Sequence, residues 1–385
     1  MSLVSLLTVI ICCLLACYGA LIGFYHRAWQ GIPAFDASGK TARTRITVVI
    51  PARNEEANIR GCLESLALQS YPMDLFQVIV IDDHSTDATR EIVSGYHPAE
   101  MFLLYASLAE HGGPGQAYKK FAIEVGVSMA FGELIVTTDA DCRFSAGWLQ
   151  TLAAFYEDKG AAFIAAPVRM GLPNTPYPLF AAFQILDFIT LQGITGAAVA
   201  KKFHSMCNGA NLAYDKNIFA AVGGFRDIDD IPSGDDMLLM HKIYRKYPDR
   251  LFFLKSRAAI VSTQPETSWK GFVNQRVRWA SKAGRYDDRR IYRVLLLVYV
   301  LNVALLILPV AACFDRWWLW VLLFGLLTKT VMEYPFVNAV AEFFGQRGLT
   351  KWFAVLQPFH IVYTVVIGWM GQFGSYRWKD RTIKK

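Results

Sequence analysis

The stretch "ELIVTTDADC", residues 133–142, decides the fold. Leu134, Ile135 and Val136 form an apolar, strand-forming run, and Asp139 and Asp141 end it one residue apart. Asp is common where strands turn, which accounts for one of the two. Two carboxylates in D-x-D spacing at a strand end lie near one point. That arrangement suits a hard divalent cation, best when phosphates complete its shell. Taken alone, the tripeptide leaves a plain turn and a cation site both open.

The same scheme recurs upstream. "RITVVIPARNEEANIRGCLESLALQSYP" (45–72) reads as strand, loop and helix, with Ile46–Ile50 as a strand buried on both faces. Asn54 and the two following glutamates mark a helix start, and Ile59, Leu63 and Leu66 form its apolar stripe. "LFQVIVIDDHSTDAT" (75–89) is again a buried strand and a polar loop. "YKKFAIEVGVSMAFG" (118–132) predicts a helix with Phe121, Val125 and Met129 on one face. A helix over about 146–158 and a strand over 162–166 follow. Alternating strands and helices predict an α/β layer with a mainly parallel sheet and helices on both faces. Ligands collect at the carboxyl ends of such strands. Three of those ends read "PARNEE", "DDHSTD" and "TTDADC", all polar. The sequence has no G-x-G-x-x-G and no P-loop, which argues against an ordinary dinucleotide or Walker-type site.

The chain has 385 residues, is 54% hydrophobic and only 18% charged, and the apolar excess is concentrated at its two ends. "LVSLLTVIICCLLACYGALIGFY" (3–25) carries no charge and is long enough to span a bilayer. It lacks the basic start and short core of a signal peptide. "VLLLVYVLNVALLILPVAACF" (294–314) is a second such segment, and "WWLWVLLFGLLTKTVMEYPFV" (317–337) is a third. Lys329 and Glu333 in the third lie four apart on one helix face, placed to pair or to face a protein interior. "WFAVLQPFHIVYTVVIGWMGQFG" (352–374) is interrupted by Pro358 and His360 and reads as a span or a re-entrant segment. Residues 179–200 are apolar with Asp187 alone inside, which reads as an amphipathic helix in the plane of the interface.

The net charge of +7 has a location. "QRVRWASKAGRYDDRRIYR" (275–293) directly precedes a membrane segment, and such basic flanks stay cytoplasmic. This assigns residues 40–285 to the cytoplasm and the charge to the membrane surface, with no nucleic-acid partner. Part of it, at Lys282 and Arg285, reads as juxtamembrane charge alone. The tail at Lys384 and Lys385 is expected on the cytoplasmic side. Seven cysteines show no C-x-x-C or zinc spacing, in keeping with a reducing compartment.

Five motifs in order resemble membrane-bound glycosyltransferases of family 2, the group of cellulose, chitin and hyaluronan synthases and ceramide glucosyltransferase. They are "VVIPARNEE", "VIDDHSTD", "TDADC", "SGDD" (233–236) and "QRVRW" (275–279), together covering about residues 45–285. The resemblance implies a GT-A-type, Rossmann-like fold flanked by membrane helices. It divides the chain into an N-terminal span (1–26), a catalytic domain (40–285) and a C-terminal membrane region (291–385) with two or three segments. Interfacial helices are expected near 179–200 and 268–286.

The resemblance implies transfer from a nucleotide-sugar, a UDP-sugar first, to a lipid or glycan acceptor, with Mg²⁺ or Mn²⁺ as cofactor. It points to the plasma membrane of a bacterium. Asp82 and Asp83 would contact base and ribose, with Pro51 and Glu55 walling the pocket. Lys119 would approach the nucleotide, with Lys120 as the adjacent candidate. Asp139 and Asp141 would hold the metal, Asp141 more directly. Asp236 would be the general base, with Asp235 as second candidate. Gln275, Arg276, Arg278 and Trp279 would close over diphosphate and acceptor. The family's T-E-D stands here as Gly234-Asp235-Asp236, and "CNGANLAY" (207–214) matches only distantly, which leaves the acceptor open. A processive polysaccharide synthase and a non-catalytic membrane scaffold are the competing readings. The intact carboxylates argue against the scaffold.

Overall fold

The structure is a computed structural model that describes residues 3–97, 101–111, 118–203, 206–229, 234–281, 289–373, 376–378 and 381–383. Lys282, Arg285, Lys384 and Lys385 therefore lie outside the described residues. The chain forms two compact units. One is an α/β unit of Ile32–Leu172 and Ala198–Gln264; the other is a helical unit of Met1–Gly31, Pro173–Ala197 and Pro265–Lys385. The α/β unit thus lacks two stretches of the expected 40–285 domain, residues 173–197 and 265–285.

Helix α1 (Leu3–Gln30) opens the chain. Then come β1 (Ile46–Ala52), α2 (Ile59–Ala67), β2 (Phe76–Asp82), α3 (Thr89–Ser94), β3 (Phe102–Ser107) and α4 (Tyr118–Ser128). Next are β4 (Leu134–Thr137), α5 (Trp148–Lys159), β5 (Phe163–Ala165), β6 (Val168–Met170) and α6 (Leu179–Lys201). They are followed by β7 (Leu212–Asp215), α7 (Lys216–Ala221), α8 (Met237–Lys246), β8 (Leu251–Phe253) and β9 (Val261–Thr263). Helices α9 (Trp269–Ala280), α10 (Arg289–Ala311), α11 (Trp317–Phe343) and α12 (Phe353–Phe373) precede a short hairpin, β10 (Tyr376–Trp378) and β11 (Arg381–Ile383).

In the α/β unit seven strands form one sheet in the order β3-β2-β1-β4-β7-β5-β8. Strands β3, β2, β1 and β4 are mutually parallel, β7 runs against both β4 and β5, and β5 is parallel to β8. All seven residues of β2 and all four of β4 are buried, as for strands covered on both faces. Each fully buried Val or Ile there stabilises the unit by roughly 1.5–3 kcal/mol. The chain reaches β2 on one side of β1 and β4 on the other, so the carboxyl ends of β1 and β4 flank the topological switch point.

Local details depart from the expected pattern in two places. Helix α2 begins at Ile59, with Ile59, Leu63 and Leu66 buried as expected, and not at Asn54. Asn54 takes a left-handed φ of 51° and belongs to a loop. Helix α4 buries Ala122, Ile123, Val125 and Gly126, whereas Met129 is exposed and Phe121 half-buried. The reason is close packing: a Cβ on Gly126 would fall 2.4 Å from Val49 Cγ1, so the small face of α4 lies flush on β1.

The helical unit contains the membrane candidates. Five helices are long and apolar enough to cross a bilayer: Val4–Gln30, Leu179–Lys201, Arg289–Ala311, Trp317–Phe343 and Arg347–Phe373. Helix α12 runs unbroken through Pro358, which removes only one backbone donor. Helix α6 is buried around most of its circumference, not along one stripe, so its burial is not that of an amphipathic helix. Its Asp187 is neutralised inside the unit by Arg276, 3.1 Å away.

Lys329 and Glu333 pair at 2.7 Å, fully buried, as their spacing implied. Lys329 also donates to Gln357 Oε1 at 3.0 Å, and Tyr18 and Gln357 both donate to Glu333. One polar cluster thereby ties α1, α11 and α12. Breaking a buried ion pair by removing one partner costs about 3–5 kcal/mol. Lys329→Met should therefore lower the thermal unfolding temperature in detergent clearly, and Lys329→Met with Glu333→Leu should recover most of the loss. An unchanged melt for the single variant would contradict the network.

Candidate functional site

The loops after β1 and β2 are stitched together backbone to side chain. Asn54 N–H donates to Ser85 Oγ at 3.0 Å, and Thr86 N–H donates to Asn54 Oδ1 at 2.8 Å. Glu55 N–H donates to Thr89 Oγ1 at 2.8 Å, Glu56 N–H to Asp87 Oδ2 at 3.0 Å, and Ala88 N–H to Glu56 Oε2 at 3.0 Å. This is why "RNEE" does not begin a helix: its polar groups bond across the rim to the next loop. His84, at φ 56°, and Asn54 both sit in the left-handed region at the ends of neighbouring strands. Such strain concentrates at functional rims.

Asp82 and Asp83 are almost wholly buried at this rim, 4% and 3% exposed. Asp82 Oδ2 accepts from the Tyr105 hydroxyl at 3.2 Å and Oδ1 accepts from Ser85 N–H at 3.2 Å. Burial and then the Asp82 charge push the Tyr105 hydroxyl up to about 12, so it remains a donor. Asp83 lies 3.0 Å from His84 Nδ1, and Arg53 holds the Asp83 carbonyl at 2.7 Å. These carboxylates brace the loop whatever else they contact. Pro51 and Glu55 are half-buried beside them.

The D-x-D follows β4. Thr138 Oγ1 donates to Ala210 O at 2.8 Å, and Cys142 N–H closes the turn on Asp139 O at 3.2 Å. The two aspartates have different partners. Asp141 Oδ2 accepts from Thr263 Oγ1 at 2.8 Å, from the end of β9. Asp139 Oδ1 accepts from Lys119 Nζ at 2.8 Å, and the same ammonium lies 3.2 Å from Asp235 Oδ2. Burial works to lower the Lys119 pKa, but the charges of Asp139 and Asp235 outweigh it and the net shift is upward. Lys120 is excluded from the site: it is buried and donates to Ile228 O.

Asp236 is the N-cap of α8, with Oδ1 accepting from Met237 N–H at 2.8 Å. Asp235, the other acid of the pair, lies beside Lys119 instead. Beside them lies "NGAN" (208–211), which leads into β7. A Cβ on Gly209 would stand 3.3 Å from both Lys119 Nζ and Asp235 Oδ2. Asn211, fully buried, accepts from Trp148 Nε1 at 3.1 Å and donates to Pro167 O and Ala259 O, each at 2.8 Å. Gly209, Asn211, Tyr105, Arg53 and Thr263 escaped the sequence reading. The only local signal was the Asn-Gly turn pair in "CNGANLAY".

The remaining expected residues lie on α9 in the helical unit. Gln275 donates to Glu266 Oε1 at 3.2 Å. Arg276 is buried against Asp187, its guanidinium 4.3 Å from the Trp279 ring centre and 5.1 Å from that of Phe272. Arg278 is half-exposed and has no side-chain partner among the described residues. The motif thus divides its arginines: Arg276 holds α9 to its neighbours, and Arg278 makes no such side-chain contact among the described residues.

Among the described residues no three His, Cys, Asp or Glu side chains converge as a metal cage. In the loop after β4, Asp139 and Asp141 supply hard carboxylate oxygens. That donor set fits Mg²⁺ or Mn²⁺ bound through one or two carboxylates with phosphates completing the shell, and not an all-protein site. Cys62 and Cys142 lie buried under this loop, where burial raises both thiol pKa values and leaves them inert.

An open α/β sheet with three acidic loops at its carboxyl edge defines a GT-A-like fold. Residues 47–222 match the family model described as Glycosyl transferase family 2, and this part of the chain is a domain of that family. Probable glycosyltransferase YdaM of Bacillus subtilis (strain 168) is 28% identical over 240 residues, 61% of this chain and 54% of that protein. Glycosyltransferase AglE of Haloferax volcanii is 28% identical over 129 residues, 34% of this chain and 41% of that protein. The chain thus spans about half the length of these curated relatives. The solved structure of mannosyltransferase PcManGT from Pyrobaculum calidifontis in complex with GDP-Man and Mn²⁺ shares the fold. Its TM-score is 0.56 at 21% identity, over 94% of this chain and 99% of that one.

Asn211 carries the wall beside Lys119, and Asn211→Ala would strand the buried Trp148 indole N–H and the Ala259 carbonyl, while Pro167 O keeps its bond from Val261 N–H. Each stranded group costs about 1–3 kcal/mol. The α/β unit should lose at least about 2 kcal/mol, read by urea unfolding. A loss well under about 1 kcal/mol would show that the three bonds are not made.

Proposed function

We propose that the chain is an inverting, metal-dependent glycosyltransferase. It moves a sugar from a nucleotide-sugar, a UDP-sugar first, to a membrane lipid or lipid-linked acceptor at the cytoplasmic face. The observation that carries this is Lys119, whose ammonium joins the D-x-D loop at Asp139 to the acidic pair before α8 at Asp235. Donor-type and base-type carboxylates thus share one edge of one sheet.

In this reading the stitched rim formed by Pro51, Glu55, Asp82 and Asp83 takes the base and ribose. Asp139 and Asp141 would hold Mg²⁺ or Mn²⁺, which when bound stabilises the negative charge that builds on the departing diphosphate. Lys119 adds a cation beside the same phosphates. Asp236 removes the proton of the attacking hydroxyl as the new bond forms. Its cap contact with Met237 N–H orients the carboxyl. One base and no nucleophilic carboxylate give inversion at the anomeric carbon. Arg278 is the residue of α9 proposed for an anion, and Arg276 is not, because Asp187 holds it. Gln275 and Trp279 keep the acceptor-side role implied by the resemblance.

The five apolar helices support a membrane-embedded acceptor, and the basic flank before α10 supports a cytoplasmic catalytic unit. A processive synthase is the second reading, favoured by "QRVRW" (275–279). Product length separates the two.

The test uses purified protein in detergent, with a panel of nucleotide-sugars and lipid extract, read by mass spectrometry and calorimetry. Excess EDTA should abolish transfer, and Asp141→Ala should lose roughly 10²-fold or more while weakening donor binding. Asp236→Asn should lose about 10²- to 10⁴-fold in transfer and bind nucleotide as wild type does. Full activity in EDTA would remove the metal from the account. An active Asp236→Asn would make Asp235 the base.

A further inference from the structure

Lys119 has a consequence for how a cation is taken up. Its ammonium lies 2.8 Å from Asp139 Oδ1 and 3.2 Å from Asp235 Oδ2, with side-chain exposures of 21% for Lys119, 39% for Asp139 and 12% for Asp235. The contact is partly shielded from water, so it is stronger than a surface ion pair. One of the two proposed cation ligands therefore already has its charge compensated. The other, Asp141, is bonded to Thr263. Among the described residues no third His, Cys, Asp or Glu joins them. A divalent ion arriving alone would meet two carboxylates, one already paired with a positive charge.

A nucleoside diphosphate changes both terms. Its phosphate oxygens supply the missing hard ligands. They also offer Lys119 an anion in place of Asp139. Gly209 matters here, because any side chain at that position would crowd the ammonium and Asp235 Oδ2, each 3.3 Å from the missing Cβ.

We propose that Lys119 is a charge lock on the D-x-D, so that the divalent cation is bound only together with the diphosphate and not before it. Lys119 is a positioning residue in this role. The proposal rests on the reading of Asp139 and Asp141 as cation ligands, and the experiment below separates failure of one from failure of the other.

The probe is Mn²⁺, titrated into the full chain in detergent and read by loss of the free-ion paramagnetic resonance signal, with and without UDP or GDP, each titration corrected by the same one without protein. Wild type should bind Mn²⁺ at least about 10-fold more weakly alone than with nucleotide, a preference expected when the shell depends on phosphate oxygens. Lys119→Met should bind Mn²⁺ alone more tightly than wild type and gain less from nucleotide. Lys119→Arg keeps the charge and should keep the wild-type pattern. Asp235→Asn leaves the ammonium to Asp139 alone and should weaken binding of Mn²⁺ alone, the opposite sign, which keeps the test decisive should Lys119→Met fail to fold. Equal binding of Mn²⁺ with and without nucleotide in wild type would overturn the lock and leave the ligand reading standing. Identical behaviour of Lys119→Met and wild type would do the same. No Mn²⁺ uptake by any variant even with UDP or GDP would overturn both.

Discussion

The site depends on one strand running the wrong way. In an otherwise parallel half-sheet β7 lies antiparallel to β4, with Leu212 opposite Thr137 and Asp215 opposite Leu134. The start of β7 therefore meets the end of β4. That register brings "NGAN" to the side of "TDAD" and lets Thr138 bond Ala210. Asn211 then fixes the segment by three buried bonds, and Gly209 leaves room for Lys119 to reach both Asp139 and Asp235. With a parallel β7 the segment 208–211 would arrive at the opposite edge, away from Asp139 and Lys119.

Much of this was legible because burial leaves a plain trace. β1, β2 and β4 read as unbroken apolar runs, and their polar ends marked the edge where ligands gather in such sheets. The D-x-D stood out as more charge than a turn needs. The direction of β7 was not legible, because a four-residue strand buried on both faces carries no sign of its partner's direction. Nor was Thr263 as a partner of Asp141, since the two are 122 residues apart. Asn54 misled because Asn followed by acids reads as a helix start, whereas its side chain bonds a loop 32 residues on. On α4 Phe121, Val125 and Met129 were read as the packing face, but only Val125 of the three is buried, because the helix lies flush on β1 at Gly126.

The helical unit shows the same economy of charge in apolar surroundings. Lys329 with Glu333 and Arg276 with Asp187 are both buried pairs, and each joins separate helices through added polar partners. Buried pairs are poor sources of net stability but strict about geometry. The charge inside α6, which pointed to an interfacial helix, is instead consumed by Arg276. The two arginines of "QRVRW" look equivalent in sequence and are not: a shift of two residues along α9 separates a buried ion-paired side chain from one with no side-chain partner among the described residues.

The central claim is a single displacement, with one carboxylate acting as base and none attacking the sugar. Its most direct test is the anomeric configuration of the purified transfer product, read by NMR and compared with that of the nucleotide-sugar donor. The account predicts inversion at every transfer. A product that keeps the donor's configuration would contradict it, because retention needs two displacements or attack on the face the diphosphate leaves, and a base opposite the leaving group serves neither.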